Sequence, residues 1–446
     1  MARMFGTDGV RGIANIELTC PLAFRLGQAA VRFQGPRILV GKDTRLSGDM
    51  LEAAVCAGIT SMGGTALLAG IIPTPAIALL GKQLGCDGGV MISASHNPPE
   101  YNGIKLFDRQ GFKLPDAVED EIQAAIESGT MDADRPAGDA VGTIENVEDA
   151  VERYIDHAVD SVRSQSIDFS GMKIALDCGH GASCVSSSKA LEGLGADVSV
   201  MNESFTGLDI NVQCGSTNLD PLKAFVAEVG AEVGIAHDGD ADRVMLVDSR
   251  GNEIDGDMME AVLAMDMKQR GCLPNDTAVT TVMCNLGFVR FMESKGIEVK
   301  QTKVGDRYVL EEMRAQGYAI GGEQSGHLIM LDYNSTGDGL MTAVQCLAAM
   351  RRLGLSADDV ADLYEHYPQE LINVRVSDKE AAMACEAVQA AKAAAEAAMG
   401  KTGRVLLRPS GTEPLVRVMV EAASDEDALR HCRAIADVVQ AELGID

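Results

Sequence analysis

The sequence is poor in aromatic and basic residues. It has no tryptophan, 10 phenylalanines and 7 tyrosines among 446 residues, but 47 glycines. That balance predicts cores of small aliphatic residues and many tight loops. Lysine and arginine total 38 against 66 aspartates and glutamates, which leaves a formal charge of −28. A surface of that sign repels phosphate backbones, so we do not expect nucleic acid as a partner.

The sequence also lacks a CxxC pair, although it has 11 cysteines scattered from Cys20 to Cys432. This pattern argues against a thiolate zinc site and a disulfide framework, and it predicts reduced thiols. The first residues are polar by Gly6, which is not typical of a signal peptide. The uncharged run 53–81 is interrupted by glycine and proline, so we expect a buried helix, strand and helix rather than a membrane span. A cytoplasmic protein without a membrane partner is predicted.

Short β-branched runs alternate with helical periodicity along most of the chain, which indicates α/β domains with largely parallel sheets. Length alone favours about three domains. We predict α/β domains over residues 1–145, 146–250 and 251–367. Residues 368–446 are predicted as a smaller α+β domain that contains one long alanine-rich helix over 380–399.

Two loops follow apolar strands and carry chemically active side chains. Ser93–Pro98 contains a serine beside a histidine, which fits either a nucleophile or a plain turn. Lys105 follows closely and could meet an anion. The loop 237–243 places Asp238, Asp240 and Asp242 at alternate positions, where they would repel one another without a cation. Oxygen ligands favour Mg²⁺ or Ca²⁺, and an EF-hand is excluded because its sixth position is Arg243.

Two further loops offer groups for binding a sugar phosphate. The loop 321–327 supplies Glu323, Ser325 and His327, which suit a polyol, although many turns look similar. The loop 408–417 supplies serine, glycine and threonine donors between two arginines. Residues 401–417 include four basic residues and one acid, a local +3 within an acidic chain. Together the four loops indicate phosphoryl transfer on a phosphosugar.

The order of these four loops over essentially the whole chain resembles the α-D-phosphohexomutase superfamily. The opening segment 5–12 and the run 92–96, with Gln324, are similar to its amino-sugar branch. The resemblance implies three similar mixed-sheet α/β domains followed by a smaller α+β C-terminal domain, with the active site in the central cleft. It also implies a homodimer. His237 stands where related loops often have glycine, and we expect it to alter the rim and not the metal site.

The resemblance further implies roles for individual residues. Ser95 corresponds to a phosphoserine, whose phosphate helps Asp238, Asp240 and Asp242 to bind one Mg²⁺. Arg11, Lys105 and Arg243 would act on the reacting phosphate, and Lys105, His327 or, less well, His96 would be the acid or base. Sugar hydroxyls would bind Glu323 and Ser325. The distal phosphate would bind a set in the last loop: Arg408, Ser410, Gly411, Thr412 and Arg417.

The implied reaction interconverts glucosamine 6-phosphate and glucosamine 1-phosphate through a 1,6-bisphosphate, supplying amino-sugar nucleotide and cell-wall precursors. Three alternatives stay open at this point. A phosphomannomutase or phosphoglucomutase of the same superfamily would differ only in its sugar. An aspartyl-phosphate phosphatase would use Asp238 as its nucleophile. A non-catalytic protein that binds metal or sugar phosphate would show no turnover.

Overall fold

The computed structural model describes residues 3–6, 8–132, 135–410 and 413–445. The chain forms two compact units. One comprises Met1–Thr281 and Lys300–Asp362, and the other comprises Val282–Val299 and Leu363–Asp446. Within the described ranges, none of the helices combines the length and the apolar character needed to pass through a membrane.

The first sheet has six strands in the order β1-β5-β4-β2-β3-β6. Its strands are β1 (Val10–Ile13), β2 (Arg37–Lys42), β3 (Thr65–Ile71), β4 (Gly88–Ile92), β5 (Tyr101–Asp108) and β6 (Ile144–Asn146). Its helices are α1 (Cys20–Gln34), α2 (Gly48–Ser61), α3 (Thr74–Gln83) and α4 (Asp116–Glu127). The uncharged run therefore forms the predicted helix, strand and helix. The centre of the sheet is parallel, whereas β5 is antiparallel to both β1 and β4.

The second sheet has five strands in the order β11-β10-β9-β7-β8. Its strands are β7 (Lys173–Asp177), β8 (Asp197–Met201), β9 (Val233–His237), β10 (Val244–Asp248) and β11 (Glu253–Ile254). The helices of this region are α5 (Ala150–Arg163), α6 (Ser187–Gly193) and α7 (Asp220–Val229). Strands β7 and β9 are parallel, while β9 and β10 form an antiparallel pair.

The third sheet includes β12, β14 and β15, with β12 parallel to β14 and β14 antiparallel to β15. The strands of this region are β12 (Thr277–Thr281), β13 (Glu298–Thr302), β14 (Ile320–Gly322) and β15 (Leu328–Met330). Its helices are α8 (Gly256–Gln269), α10 (Asp306–Gln316), α11 (Gly339–Leu353) and α12 (Ala357–Ala361), whereas α9 (Leu286–Ser294) belongs to the other compact unit. The sequence predicts a helix over 357–366, but α12 ends at Ala361, and the chain leaves this unit after Asp362.

The C-terminal unit is built on an antiparallel sheet with the order β16-β18-β17. Its later elements are β16 (Gln369–Arg375), α13 (Lys379–Ala384), α14 (Glu386–Met399), β17 (Arg404–Pro409), β18 (Leu415–Glu421) and α15 (Asp425–Leu443). The prediction of one helix over 380–399 is wrong, because extended backbone at Cys385 separates α13 from α14. The predicted fold class, mixed α/β sheets followed by a smaller antiparallel α+β unit, is confirmed.

Candidate active site

The serine loop connects the antiparallel strands β4 and β5. Ser95 lies in it at φ 52°, the left-handed region that non-glycine residues rarely adopt, and its side chain is buried. The Ser95 hydroxyl donates to Asp238 Oδ2 at 2.6 Å and lies 3.3 Å from Nδ1 of His96. The strand end thus directs one reactive hydroxyl toward the aspartate loop.

The aspartate loop connects β9 and β10, and its carboxylates converge. One oxygen from each of Asp238, Asp240 and Asp242 lies within 4.8 Å of the other two, and all three residues are buried. Gly239 allows the loop to approach the serine loop, because a Cβ there would lie 2.7 Å from the carbonyl oxygen of Ser95. The three carboxylates predicted to converge do so.

The charges in this cluster are balanced only in part. Burial and the neighbouring carboxylates of Asp242 and Asp240 raise the pKa of Asp238 well above its usual value. Burial also opposes ionisation of Asp242, but Lys105 and His327 lower its pKa below the ordinary range. Within the part of the chain that the structure describes, Oδ1 of Asp240 and Oδ1 of Asp242 are buried without a hydrogen-bond partner. These unpartnered oxygens fit a hard divalent cation.

Lys105 enters the cluster from β5. Its ammonium lies 2.7 Å from Asp240, 3.4 Å from Asp242 and 2.9 Å from Asp8. Burial alone would lower the pKa of Lys105, but the carboxylates of Asp240, Asp8 and Asp242 raise it well above 10.5. Lys105 is therefore a fixed positive charge at neutral pH.

Two arginines lie beside the serine and aspartate loops. Arg11 pairs with Asp8 and donates to Asn97 Oδ1 at 2.8 Å, and Nε of Arg243 lies 3.8 Å from Asp242. Counting only described residues, Nε of Arg11 and Nε of Arg243 are buried with no hydrogen-bond acceptor. Each of these two groups can still bind an anion such as a phosphate oxygen.

His327 and His96 are the two histidines predicted as candidates for the acid or base, and their surroundings differ. His327 has Nδ1 3.6 Å from Asp242 and Nε2 3.5 Å from Asp306. Burial opposes protonation of His327, but these carboxylates raise its pKa above 6.5. Burial and the charges of Arg243 and Arg11 lower the pKa of His96 to about 4. Such a pKa favours an uncharged His96 at neutral pH.

The expectation that His237 alters the rim is wrong, because the residue lies inside the domain. It is the last residue of β9 and is completely buried. Its Nδ1 lies 3.1 Å from the carbonyl oxygen of Arg243, and its Nε2 lies 3.2 Å from Oγ of Ser187. The ring supports the aspartate loop from inside the domain.

The loop between β14 and β15 holds the predicted sugar-binding residues. Glu323 is half-buried and accepts a hydrogen bond from the Gly305 amide at 3.1 Å, while Ser325 is exposed. Gln324 donates to Asp255 at 3.1 Å. Burial opposes ionisation of Arg243, but the carboxylates of Asp242, Asp238 and Glu323 raise its pKa.

The predicted phosphate loop lies in the C-terminal unit. Arg408 on β17 and Arg417 on β18 are paired in register. Burial and the charge of Arg417 lower the pKa of Arg408, and Nε of each arginine is buried without a partner among described residues. Ser410 is buried and accepts a hydrogen bond from the Glu413 amide at 3.3 Å. Gly411 and Thr412 lie outside the described residues.

Sequence reasoning missed several residues that hold the site together. Asp43 and Arg45 follow β2 and contact the serine loop. Thr74 donates to Asp240 at 2.5 Å, and Lys113 binds Asp8 and, at 2.6 Å, Asp306. The polar residues 43–45 directly after β2 could have identified Asp43 and Arg45 as site residues, because the other site loops also follow strands.

Comparison with known proteins places the chain in a family. It matches the phosphoglucomutase/phosphomannomutase family in alpha/beta/alpha domain I over residues 2–133, domain II over 152–251, domain III over 255–367 and the C-terminal domain over 371–438. It is 48% identical to the phosphoglucosamine mutase of Geobacillus thermodenitrificans, with 100% of each chain covered. It is 49% identical to that of Mycobacterium marinum, covering 99% of this chain and 100% of the relative.

Solved structures share the fold. A phosphoglucomutase/phosphomannomutase family protein from Burkholderia thailandensis gives a TM-score of 0.83 at 23% identity, with 99% of each chain covered. The Aspergillus fumigatus N-acetylphosphoglucosamine mutase, solved with GlcNAc-6P and magnesium, gives 0.67 at 17% identity, covering 98% of this chain and 95% of that one. From the full-length matches, the chain belongs to the phosphoglucomutase/phosphomannomutase family and, within it, to the phosphoglucosamine mutases.

Proposed function

We propose that this protein interconverts glucosamine 6-phosphate and glucosamine 1-phosphate, with Ser95 carrying the transferred phosphoryl group. The full-length identity to phosphoglucosamine mutases supports the choice of amino sugar. The observation that carries the proposal is the 2.6 Å hydrogen bond from the Ser95 hydroxyl to Asp238, inside a cluster of three buried carboxylates. A serine there lies beside three carboxylates that suit a divalent cation, and such a cation assists phosphoryl transfer.

Asp238, Asp240 and Asp242 would hold one Mg²⁺ together with an oxygen of phospho-Ser95. The donor set fits, because it consists of carboxylates with unpartnered buried oxygens and no soft ligand. When bound, the ion neutralises negative charge that develops on the phosphoryl oxygens. The related A. fumigatus enzyme was solved with magnesium.

The reaction consists of two phosphoryl transfers. In the first, a free substrate hydroxyl attacks the phosphorus of phospho-Ser95, the bond to Ser95 Oγ breaks, and a 1,6-bisphosphate forms. In the second, Ser95 Oγ attacks the phosphorus of the other phosphate, the bond from that phosphorus to the sugar oxygen breaks, and the monophosphate product leaves with a free hydroxyl. His327 would take up and return the hydroxyl proton. Its ring lies between the carboxylates of Asp242 and Asp306, which raise its affinity for a proton. Lys105, Arg11 and Arg243 would stabilise the charge of the transferring group.

Binding of the substrate would use both remaining loops. Glu323 and Ser325 would accept and donate hydrogen bonds to sugar hydroxyls. Arg408 and Arg417 would bind the phosphate that does not react, with Ser410 beside them. The two unpartnered Nε groups support this assignment. We also propose a homodimer.

A coupled assay tests the proposal. The purified protein with Mg²⁺ should turn over glucosamine phosphates faster than glucose or mannose phosphates at equal concentration. Ser95→Ala should abolish turnover, while Ser128→Ala, an exposed serine after α4, should not. Mass spectrometry should find an acid-stable phosphate on Ser95. An acid-labile phosphate on Asp238 would instead establish the phosphatase mechanism, and turnover by Ser95→Ala would refute the phosphoserine.

A further inference from the structure

We infer that Asp43, Arg45 and Ser93 form a frame that fixes the backbone of Ser95 on both sides, and that this frame, which touches no reacting atom, sets the rate of phosphoryl transfer. The inference rests on the proposed function. It concerns positioning residues, because their side chains bind the peptide groups of the serine loop.

Arg45 supplies the larger part of the frame. Its guanidinium has 0% side-chain exposure and donates to four carbonyl oxygens of the serine loop and its exit. The Nη1 group lies 2.5 Å from the oxygen of Pro98 and 3.0 Å from that of Tyr101. The Nη2 group lies 2.9 Å from the oxygen of Ser95 and 2.7 Å from that of Asn97. A charged donor that binds four backbone acceptors in one loop fixes that loop's path.

Asp43 and Ser93 hold the other side of Ser95. Asp43 Oδ2 accepts from Nε of Arg45 at 2.9 Å and from the Ser93 hydroxyl at 2.6 Å. The Ser93 oxygen in turn accepts from the Ser95 amide at 2.9 Å. The amide of Ser95 is therefore connected through Ser93 and Asp43 to the same guanidinium that binds its carbonyl oxygen.

The frame explains how Ser95 keeps an unfavourable conformation. At φ 52° a serine is strained, and such residues persist only where the surroundings hold them. Both peptide groups of Ser95 are bound, and Asn211 adds a second donor to its carbonyl oxygen at 2.8 Å. This backbone geometry directs the hydroxyl to Asp238, 2.6 Å away. Without the frame, the Ser95 hydroxyl would no longer be held in the orientation that directs it to Asp238.

The frame makes a specific kinetic prediction. The five N–H groups of the Arg45 side chain face Asp43 and backbone carbonyls, so the guanidinium does not bind the phosphoryl group directly. Loss of the frame should therefore lower kcat and leave KM nearly unchanged, because substrate contacts remain. Misplacement of a reacting group by about 1 Å can cost roughly a hundredfold in rate.

Ser93→Ala is the first test, and Thr44→Val is its matched control. Each removes one buried hydroxyl from neighbouring loops, but Thr44 donates to the His180 carbonyl and has no bond to Ser95. We expect Ser93→Ala to lower kcat by roughly ten- to a hundredfold with KM within about twofold, and Thr44→Val to keep wild-type kcat. Urea unfolding of both variants measures any shared loss of stability. Equal kcat values in the two variants, or a loss confined to KM, would overturn the inference.

Arg45→Ala with added guanidinium is the second test. The small cation should enter the vacated space and restore part of kcat, whereas urea at the same low millimolar concentration should not, because it has the shape without the charge. If both solutes restore kcat, the positive charge of the Arg45 guanidinium is not needed to hold the serine loop. If neither solute restores kcat in a variant that circular dichroism shows to be folded, the inference about Arg45 is also refuted. If this variant does not fold, Ser93→Ala decides alone. Wild-type protein is assayed in parallel, so absent wild-type turnover would refute the proposed function rather than the frame.

Discussion

At the scale of single residues, His237 connects the aspartate loop to helix α6. Its ring is fully buried and bonds to the Arg243 carbonyl and to Ser187. Burial lowers the pKa of His237 to about 4 from the ordinary 6.5. A neutral ring in the folded protein must therefore become protonated on unfolding below about pH 6.5.

This burial predicts a pH dependence of stability. Between pH 6.5 and pH 4 the unfolded state binds more protons at His237 than the folded state, so stability falls as the pH falls through that window. The full difference between the folded and unfolded pKa of His237 corresponds to about 3 kcal/mol in the free energy of unfolding. His237→Gln should show a shallower fall in the free energy of unfolding, measured with urea at pH 7 and pH 4.5. His431→Gln, at a partly exposed ring on α15, should follow wild type. Parallel pH curves for wild type and His237→Gln would contradict the prediction.

Arg417 gives a prediction on binding. Arg417→Ala should weaken binding of a phosphosugar by roughly ten- to a hundredfold, since one charge-assisted hydrogen bond contributes about 1.5–3 kcal/mol. Lysine at this position should rescue only partly, because an ammonium lacks the guanidinium's paired donors. Titration calorimetry measures the affinity. Arg375→Ala, an exposed arginine on β16 of the same sheet, is the control and should bind normally. Unchanged affinity in Arg417→Ala would remove this loop from the substrate site.

Residues in polar loops after apolar strands could be predicted from sequence, and Ser95 and the three aspartates are examples. Asp43 and Arg45 also follow a strand, but their importance depends on contacts with residues about 50 positions away, which no local pattern encodes. His237 reads as a polar loop residue in sequence. Only the paired strands β9 and β10 show that its ring faces inward.

At the scale of elements, three site loops share one construction. Each joins two antiparallel neighbours within a mixed sheet: β4 and β5, β9 and β10, β14 and β15. Alternation of strands and helices predicted the parallel strands well. Strand β5 was not predicted from the sequence. Six consecutive residues in it are buried, and such a run has neither the helical nor the alternating period by which elements are recognised. The break at Cys385 also escaped, because neither glycine nor proline marks it.

The aspartate loop predicts a metal-dependent stability. Mg²⁺ should raise the unfolding temperature of the wild-type protein, since binding at about a hundredfold over Kd contributes about 2.7 kcal/mol. In chelator, Asp238→Asn should unfold at or above the wild-type temperature, because the substitution removes the charge of one of three mutually repelling carboxylates. The same variant should lose the rise in unfolding temperature that Mg²⁺ gives the wild type. Differential scanning calorimetry measures both. Asp220→Asn, at an exposed position at the start of α7, should respond to Mg²⁺ like wild type. A full Mg²⁺ response in Asp238→Asn would show that the ion binds elsewhere.

At the scale of the whole molecule, the C-terminal unit contains an inserted segment from the middle of the chain. Residues Val282–Val299 belong to it, although the family's domain III spans 255–367. Within this unit, the buried carboxylate of Glu421 accepts from the Leu286 amide at 3.1 Å and pairs with Arg404. Helix α9 thus supplies partners that residues 363–446 need.

This arrangement predicts how fragments behave. A fragment of residues 363–446 alone should be less stable than the same fragment with 282–299 joined by a flexible linker, because Glu421 loses its partners on α9. The expected difference is about 1–3 kcal/mol for a buried carboxylate left short of a donor. Urea unfolding followed by circular dichroism measures it, and a linked segment of scrambled sequence is the control. Equal stability of the two fragments would show that 282–299 is dispensable.

The same discontinuity constrains the order of events during synthesis on the ribosome. Residues 282–299 emerge before Leu363–Asp446 exist, so α9 must wait for at least 63 further residues before its unit can assemble. At about 5–20 residues per second that delay lasts several seconds. During it, the apolar side chains of Phe288 and Met292, buried in the finished protein, lack their final surroundings. The nascent chain therefore carries an incompletely packed apolar segment at α9 until the C-terminal residues have been synthesised.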